Sequence, residues 1–429
     1  MEIKRDFYLK QLIEKKENGR IKIITGIRRC GKSYLLDPIY SNYLKLIGVG
    51  DSQIIKVSFK GDENLSSRDP IRLGQYIRSL IKNNNKMYYI FMDEIQKVNT
   101  IKNPYLEEGE KITFLDVLLG LKNIKNADVY VTGSNSVMLS SDVLTSFRDR
   151  GDEIRVNPLN YKEFCEFKGS FNDWDEYTLY GGMPLAVLAK TKEEKSKYLK
   201  KLFYETYLKD IIERNKISND VEIVDDLLNI IASNIGSFTN PSKLSKVFKS
   251  KKNIMIKPET IGNYLKYFIE AFIINKSYRY DIKGNKYIDT PLKYYFTDIG
   301  LRNAKIGFRQ VEQSHIMENV IYNELLIRGF DVDVGCIETY SKNNNVTKRN
   351  HYEVDFVANK GSERYYIQSA LEINSEEKLQ QEINSLIRIK DSFKKVVIVN
   401  SKKIPQHDNN GILFISLSDF LLKEDALDW

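Results

Sequence analysis

Histidine, cysteine and tryptophan are scarce in this chain, at three, three and two among 429 residues. Cys30, Cys165 and Cys336 stand far apart and form no CxxC pair, which excludes a disulfide framework and the usual structural zinc spacing. His315, His351 and His407 show no metal-ligand spacing either. No stretch of about 18 apolar residues occurs, and the opening MEIKRDFYLK lacks the apolar core of a secretory signal. The expectation is a cytoplasmic protein with no membrane partner.

What is present is an ordinary globular composition, 42% hydrophobic and 29% charged. A chain this long exceeds one hydrophobic core, and a prior of roughly 100 to 200 residues per domain implies several. The formal charge of +8 comes from lysines spread along the whole length. Such a balance suits an acidic polymer partner, and it suits equally well a lysine-rich protein that binds none.

The first third alternates short β-rich runs with helical patterns: IKIIT (21 to 25), QIIKVSF (53 to 59), YYIFMD (88 to 93), DVYVT (128 to 132) and EIRVN (153 to 157). Strands interleaved with helices predict an α/β fold with a mostly parallel sheet. Residues 161–220 turn helical, with a Gly181-Gly182-Met183-Pro184 break, and read as a lid or connector. Three further helices follow; Asn240-Pro241 and Pro258 give start signals for two of them. A hairpin then turns at Lys283-Gly284-Asn285, so that 221–300 has the outline of a winged helix. From 301 to 429 the pattern is a second α/β unit, with NNNVTKRN (343 to 350) read as an exposed loop.

Gly26-Ile27-Arg28-Arg29-Cys30-Gly31-Lys32-Ser33 matches GxxxxGK[ST] after an apolar strand and before a helical pattern that opens at Tyr34. Glycines there let backbone N–H groups turn toward phosphates, and the helix that follows presents its positive end to them. Gly26 to Tyr34 is therefore the expected ATP-binding segment, with Lys32 on the β- and γ-phosphates and Ser33 on Mg²⁺. Cys30 within it reads as a tolerated small residue or as a redox control point. YYIFMDE ends an apolar strand in two acids, which suits Asp93 for the magnesium shell and Glu94 for polarising a water. VYVTGSN ends a strand near the same place, with Asn135 favoured as a γ-phosphate sensor and Ser134 as its rival. Arg148 and Arg150, ahead of the last core strand, are candidates for an arginine finger.

These segments, with RDRGDEIRVNPLNYKEF, YGGMP, KYYFTDIGL, ENxxxNELL and EVDF, resemble a prokaryotic family of AAA-type ATPases that carry a C-terminal domain of unknown function. The resemblance spans nearly the whole chain and implies ATP hydrolysis and conformational switching without naming a client. It puts the family's finger at Arg150, preceded by Asp149 where many relatives have glycine. It also matches Arg5 and Tyr8 to residues that sit near the adenine or pack a helix.

The expected organisation is a P-loop core at 1–160, a helical lid at 161–220, a winged helix at 221–300 and an endonuclease-like α/β domain at 301–429. Lysines 243, 246, 249, 251, 252, 283 and 286 crowd the winged-helix surface, which could meet DNA or RNA phosphates or couple domains. The last domain resembles a restriction-endonuclease-like fold through Glu318 and Asp355. Gln368-Ser369-Ala370 stands where an active member has ExK, and Glu372 lies two residues out of register, so that this domain is expected to bind without cutting. The leading reading is an ATPase switch or motor acting on a nucleic acid or a protein client, with homo-oligomerisation through the finger. An ATP-binding signalling protein with very slow turnover is the alternative, and a nuclease is third.

Overall fold

The computed structural model describes residues 3–59, 65–82, 85–104, 109–133, 151–218, 220–309, 312–343, 346–401 and 405–429. They form two compact units. One is Met1–Pro158 with Glu270–Phe272, and the other is Leu159–Ile269 with Ile273–Trp429. The expected parts 161–220, 221–300 and 301–429 thus lie almost wholly in one unit, with no division at 220 or 300.

The first unit contains α1 (Asp6–Glu14), β1 (Ile21–Thr25), α2 (Lys32–Tyr34), α3 (Ser41–Leu46), β2 (Ile54–Ser58), α4 (Pro70–Leu80) and β3 (Tyr88–Asp93). After these come the short β4 (Ile101–Lys102) and β5 (Lys111–Ile112), then α5 (Phe114–Lys122), β6 (Ala127–Thr132) and β7 (Gly151–Arg155). Five strands make one sheet in the order β2-β3-β6-β1-β7, and every neighbouring pair is parallel. All five residues of β1 are buried, as expected of a strand covered on both faces. Local chemistry sets the helix starts. Asp69 accepts from the Arg72 N–H with Pro70 in the first turn of α4, and Thr113 with Asp116 forms a capping box on α5.

The order of this sheet positions the site. β6 is inserted between β1, which ends in the glycine-rich loop, and β3, which ends in Asp93. The carboxyl end of β6 therefore sits between the loop and the acids, where open parallel sheets present their ligand crevice.

The second unit opens with α6 (Tyr161–Lys168), α7 (Trp174–Tyr180), α8 (Pro184–Leu188), α9 (Lys192–Lys201) and α10 (Lys209–Arg214). Next are α11 (Val221–Ser233), α12 (Pro241–Lys252), α13 (Pro258–Glu270), β8 (Ile274–Asp281), β9 (Lys286–Phe296), α14 (Ile299–Lys305) and α15 (Gln313–Ile327). The chain ends with β10 (Asp331–Asn343), β11 (Val346–Lys360), β12 (Glu363–Ala370), α16 (Glu376–Ile387), β13 (Lys394–Val399), β14 (Gln406–His407), β15 (Leu413–Ser416) and α17 (Leu417–Leu422). Asn240 caps α12 by accepting from the Lys243 N–H.

Eight strands form one mixed sheet in the order β14-β15-β13-β12-β11-β10-β8-β9. The β8–β9 hairpin is its edge, joined through parallel pairing of β8 with β10 at Val334↔Arg279 and Gly335↔Tyr280. A boundary at residue 300 would cut this hairpin from its sheet. Residues 346–350, read from sequence as loop, extend β11 and pair with β10 in register from Thr339↔Asn350 to Asn343↔Val346. Their polar composition hid the strand, because cross-strand backbone hydrogen bonds need no apolar side chain.

Asp298, at the start of α14, gathers a turn of this unit. Its carboxylate accepts from the Gly182 N–H at 2.7 Å and the Leu301 N–H at 2.9 Å. Gly182 must be glycine, since a Cβ there would lie 1.9 Å from the Leu159 carbonyl oxygen. Burial outweighs the N–H donors and pushes Asp298 up to about 6.

Candidate nucleotide site

The loop between β1 and α2 depends on backbone shapes that few side chains permit. Gly26 has φ 135° and Gly31 φ 102°. A Cβ on Gly26 would stand 2.0 Å from the Val156 carbonyl oxygen, so that only glycine lets the loop fold against the residue after β7. Arg29, exposed, takes φ 67°. Ile27 and Cys30 are fully buried, and the Cys30 thiol donates to the Val156 carbonyl at 3.2 Å. Cys30 is thus a packing residue of the loop. Arg28 is half-buried and Tyr34 exposed.

Lys32 is buried, and its ammonium donates to the carbonyls of Gly26 and Ile27, both at 2.9 Å. The cation is thereby held across the mouth of the loop. The Ser33 hydroxyl donates to Asp93 Oδ1 at 2.7 Å, which brings together the two residues expected at magnesium.

Thr132 was not singled out in the sequence, yet it occupies the centre of the site. Its hydroxyl donates to the same Asp93 Oδ1 at 2.6 Å and accepts the Glu94 N–H at 3.0 Å. One hydroxyl at the end of β6 thus fixes both acids. Glu94 is buried and has φ 62°, a left-handed conformation rare for glutamate. Its carboxylate accepts from the Gln96 side-chain amide. Strain held at such a position is typical of functional sites.

Arg5 and Tyr8 lie behind the loop. Arg5 donates to the Asn157 carbonyl at 2.6 Å and the Cys30 carbonyl at 3.4 Å, with its guanidinium 4.7 Å from the Tyr8 ring centre. The Tyr8 hydroxyl accepts the Asn157 N–H at 3.1 Å. Both side chains are buried and tie the loop to the end of β7. Ser134, Asn135, Arg148 and Arg150 lie outside the described residues.

The residues present fit a nucleotide with magnesium. The loop backbone at Gly26 and Gly31 has the left-handed shape that glycine permits, Lys32 offers a cation held on neutral carbonyls, and the metal donors are a hydroxyl and a carboxylate, the hard oxygen ligands that Mg²⁺ prefers.

A second charged cluster lies in the eight-stranded sheet. Lys293 on β9 is buried between Glu318 of α15 at 2.8 Å and Glu353 of β11 at 2.5 Å. The Tyr295 hydroxyl also donates to Glu318, at 2.7 Å. Asp355 accepts from the Ser369 N–H at 2.8 Å and its hydroxyl at 2.7 Å, and donates its own N–H to Gln368. Burial pushes Glu318 up; burial alone would lower Lys293, but the surrounding carboxylates outweigh it and push Lys293 up. Asp355 thus contacts both Gln368 and Ser369, and Glu318 is engaged by Lys293, which with Glu353 was not among the residues singled out in the sequence. Each is one of two alternating residues on a strand face, Lys293 with Tyr295 and Glu353 with Asp355. Charged residues at that period inside apolar strands were the available signal. Among the described residues no group of three or more His, Cys, Asp or Glu is placed to hold a metal.

Among the described residues no helix is long and apolar enough to cross a membrane. A family profile described as AAA domain matches residues 18–165, and a second, Domain of unknown function (DUF8612), matches residues 171–312. The chain is 33% identical over 428 residues to an uncharacterised protein of Haemophilus influenzae, covering 98% of this chain and 99% of the other. It is 30% identical over 438 residues to an uncharacterised protein of Methanocaldococcus jannaschii, covering 97% and 88%. Among solved structures it is similar to a DNA polymerase III gamma subunit-related protein of Thermotoga maritima, at TM-score 0.30 and 14% identity, covering 61% of this chain and 98% of that one.

Proposed function

The chain belongs to the AAA-domain family it shares with its Haemophilus and Methanocaldococcus relatives, and from that premise we propose that it is a magnesium-dependent ATPase switch coupled to a nucleic-acid or protein client. The observation that carries this reading is the convergence of the Ser33 and Thr132 hydroxyls on one oxygen of Asp93, beside the glycine loop.

In this reading Gly26 to Ser33 bind the phosphates through backbone N–H groups, and Lys32 exchanges its main-chain partners for phosphate oxygens. Ser33 and Asp93 hold Mg²⁺, which neutralises charge on the phosphates when bound. Glu94, fixed by Thr132, orients and polarises the attacking water. Asn135 contacts the γ-phosphate, and Arg150 acts as the finger on a neighbouring subunit's nucleotide.

The client surface in this proposal is the winged-helix part, where α11, α12 and α13 precede the β8–β9 hairpin. The antiparallel bridge Thr239↔Leu292, which ties the α11–α12 connection to the hairpin, supports it. The exposed lysines of α12 and the hairpin supply its positive charge. The last part binds without cutting in this reading, because Lys293 and Tyr295 already engage Glu318, and Gln368 and Ala370 stand where an active member has a carboxylate and a lysine.

Phosphate release measured with Mg²⁺, with and without DNA or RNA, tests the proposal. Turnover that needs the metal, lost with nucleotide binding in Lys32→Ala, is expected. Asn135→Ala and Arg150→Ala should slow release while binding persists, and the nucleic acid should be recovered intact. A wild-type protein that releases no phosphate under any of these conditions would sink the ATPase reading.

A further inference from the structure

A cavity of about 320 Å³ opens between α11 and α12, within the range of ligand pockets. Its floor is aliphatic, formed by Ile230, Ile231, Leu244 and Val247, with Phe238 at one side. Ile230, Val247 and Phe238 are only half-buried, so that apolar surface faces the opening. Such surface ringed by polar groups is the usual mark of a binding site.

The rim is cationic. Lys243, Lys251 and Lys252 line it and are exposed, against the single carboxylate of Asp226, which pairs with Lys252 at 3.0 Å. Helix stability accounts for the two lysines at the end of α12, where the dipole favours cations. It does not account for Lys243 in the first turn, where the dipole disfavours them. Lys243 is fixed there by donating to the Phe238 carbonyl at 3.0 Å.

The floor separates two kinds of anionic partner. Single-stranded nucleic acid is held by stacking bases on open aromatic faces. The only ring among the lining residues is Phe238, already attended by the Arg279 guanidinium at 5.3 Å and the Lys293 ammonium at 5.5 Å. An aliphatic floor inside a lysine rim instead suits one apolar side chain flanked by carboxylates.

We propose that this cavity is a docking site for an acidic amphipathic peptide segment of a protein client, whose apolar residue enters between α11 and α12 while its carboxylates meet Lys243, Lys251 and Lys252. The inference rests on the proposed coupling to a client and names that client's chemistry.

The test is selection of a displayed random-peptide library on the full-length protein, followed by fluorescence anisotropy with the selected peptides and with labelled oligothymidine. Val247→Trp fills the cavity without changing charge, and Lys251→Glu alters an exposed position that folding does not depend on. The expected result is peptides with an apolar residue flanked by Asp or Glu, which bind at least about tenfold more weakly to either variant. Selected peptides that bind Val247→Trp and Lys251→Glu as tightly as wild type would overturn the proposal. So would an absence of any peptide binder, or oligothymidine binding that Val247→Trp removes. Phosphate release by the same proteins keeps the two readings apart: failure of the ATPase reading shows as missing turnover in the wild type, whatever the peptides do.

Discussion

The nucleotide site and the buried cluster of the eight-stranded sheet each bring a lysine together with carboxylates and hydroxyls, but they connect them differently. In the first, Lys32 donates to two main-chain carbonyls, and Asp93 accepts from the hydroxyls of Ser33 and Thr132. In the second, Lys293 lies directly between Glu318 and Glu353. A lysine on neutral carbonyls would gain by moving to a phosphate, because there the acceptor is ionised as well as the donor. A lysine buried between carboxylates is needed where it is, since removing it leaves uncompensated charge in a low-dielectric interior. On the proposed reading, similar residues serve ligand chemistry in one region and cohesion of the fold in the other.

Three substitutions and one titration follow from this contrast. The largest effect is expected for Glu94→Gln, which keeps nucleotide binding and lowers turnover by about 10² to 10⁴, the usual contribution of a general base. Single-turnover phosphate release measures it, and a rate equal to wild type removes Glu94 from the mechanism. Next is Lys293→Met, expected to lower stability by about 3–5 kcal/mol in urea unfolding by stranding Glu318. Adding Glu318→Gln should recover much of that loss; if the double variant is no better than the single, the cluster is not held by its ion pair.

Thr132→Val should slow turnover about tenfold, the scale of a charge-assisted hydrogen bond, with Thr132→Ser restoring the rate. A Val variant with normal turnover would mean that Asp93 and Glu94 are oriented without this hydroxyl. The fourth concerns Asp298, whose folded-state value of about 6 lies above its ordinary 3.8. The folded protein then binds this proton more tightly than the unfolded chain, so its ionised carboxylate lowers stability at neutral pH. That penalty fades as pH falls from about 6 toward 4. Carbon-detected NMR titration of the native protein should place the carboxyl near 6, and a midpoint near 3.8 would contradict the burial argument.

The five strands of the parallel sheet were legible in sequence to within two residues, because buried parallel strands are mostly apolar runs, whereas the two-residue β4 and β5 carry no such pattern. The loop and both acids were legible for a different reason, since phosphate chemistry tolerates few residue types at those positions. Thr132 was not singled out because its contacts with Asp93 and Glu94 depend on β6 lying between β1 and β3, and strand order is written in no local pattern. Lys293 escaped notice similarly, because β9 meets Glu318 of α15 and Glu353 of β11 only in the folded chain. The β8–β9 hairpin looked like the end of one domain because its link to β10 joins residues more than fifty positions apart.

A paired measurement on wild type, Glu94→Gln and Lys293→Met separates chemistry at one charged cluster from cohesion at the other. Magnesium-dependent phosphate release per folded molecule and the urea midpoint would be read from the same preparations. The account expects Glu94→Gln to lose release and keep its midpoint, and Lys293→Met to keep release and lose its midpoint. The reverse pattern, with Lys293→Met inactive at an unchanged midpoint and Glu94→Gln turning over normally, would contradict it.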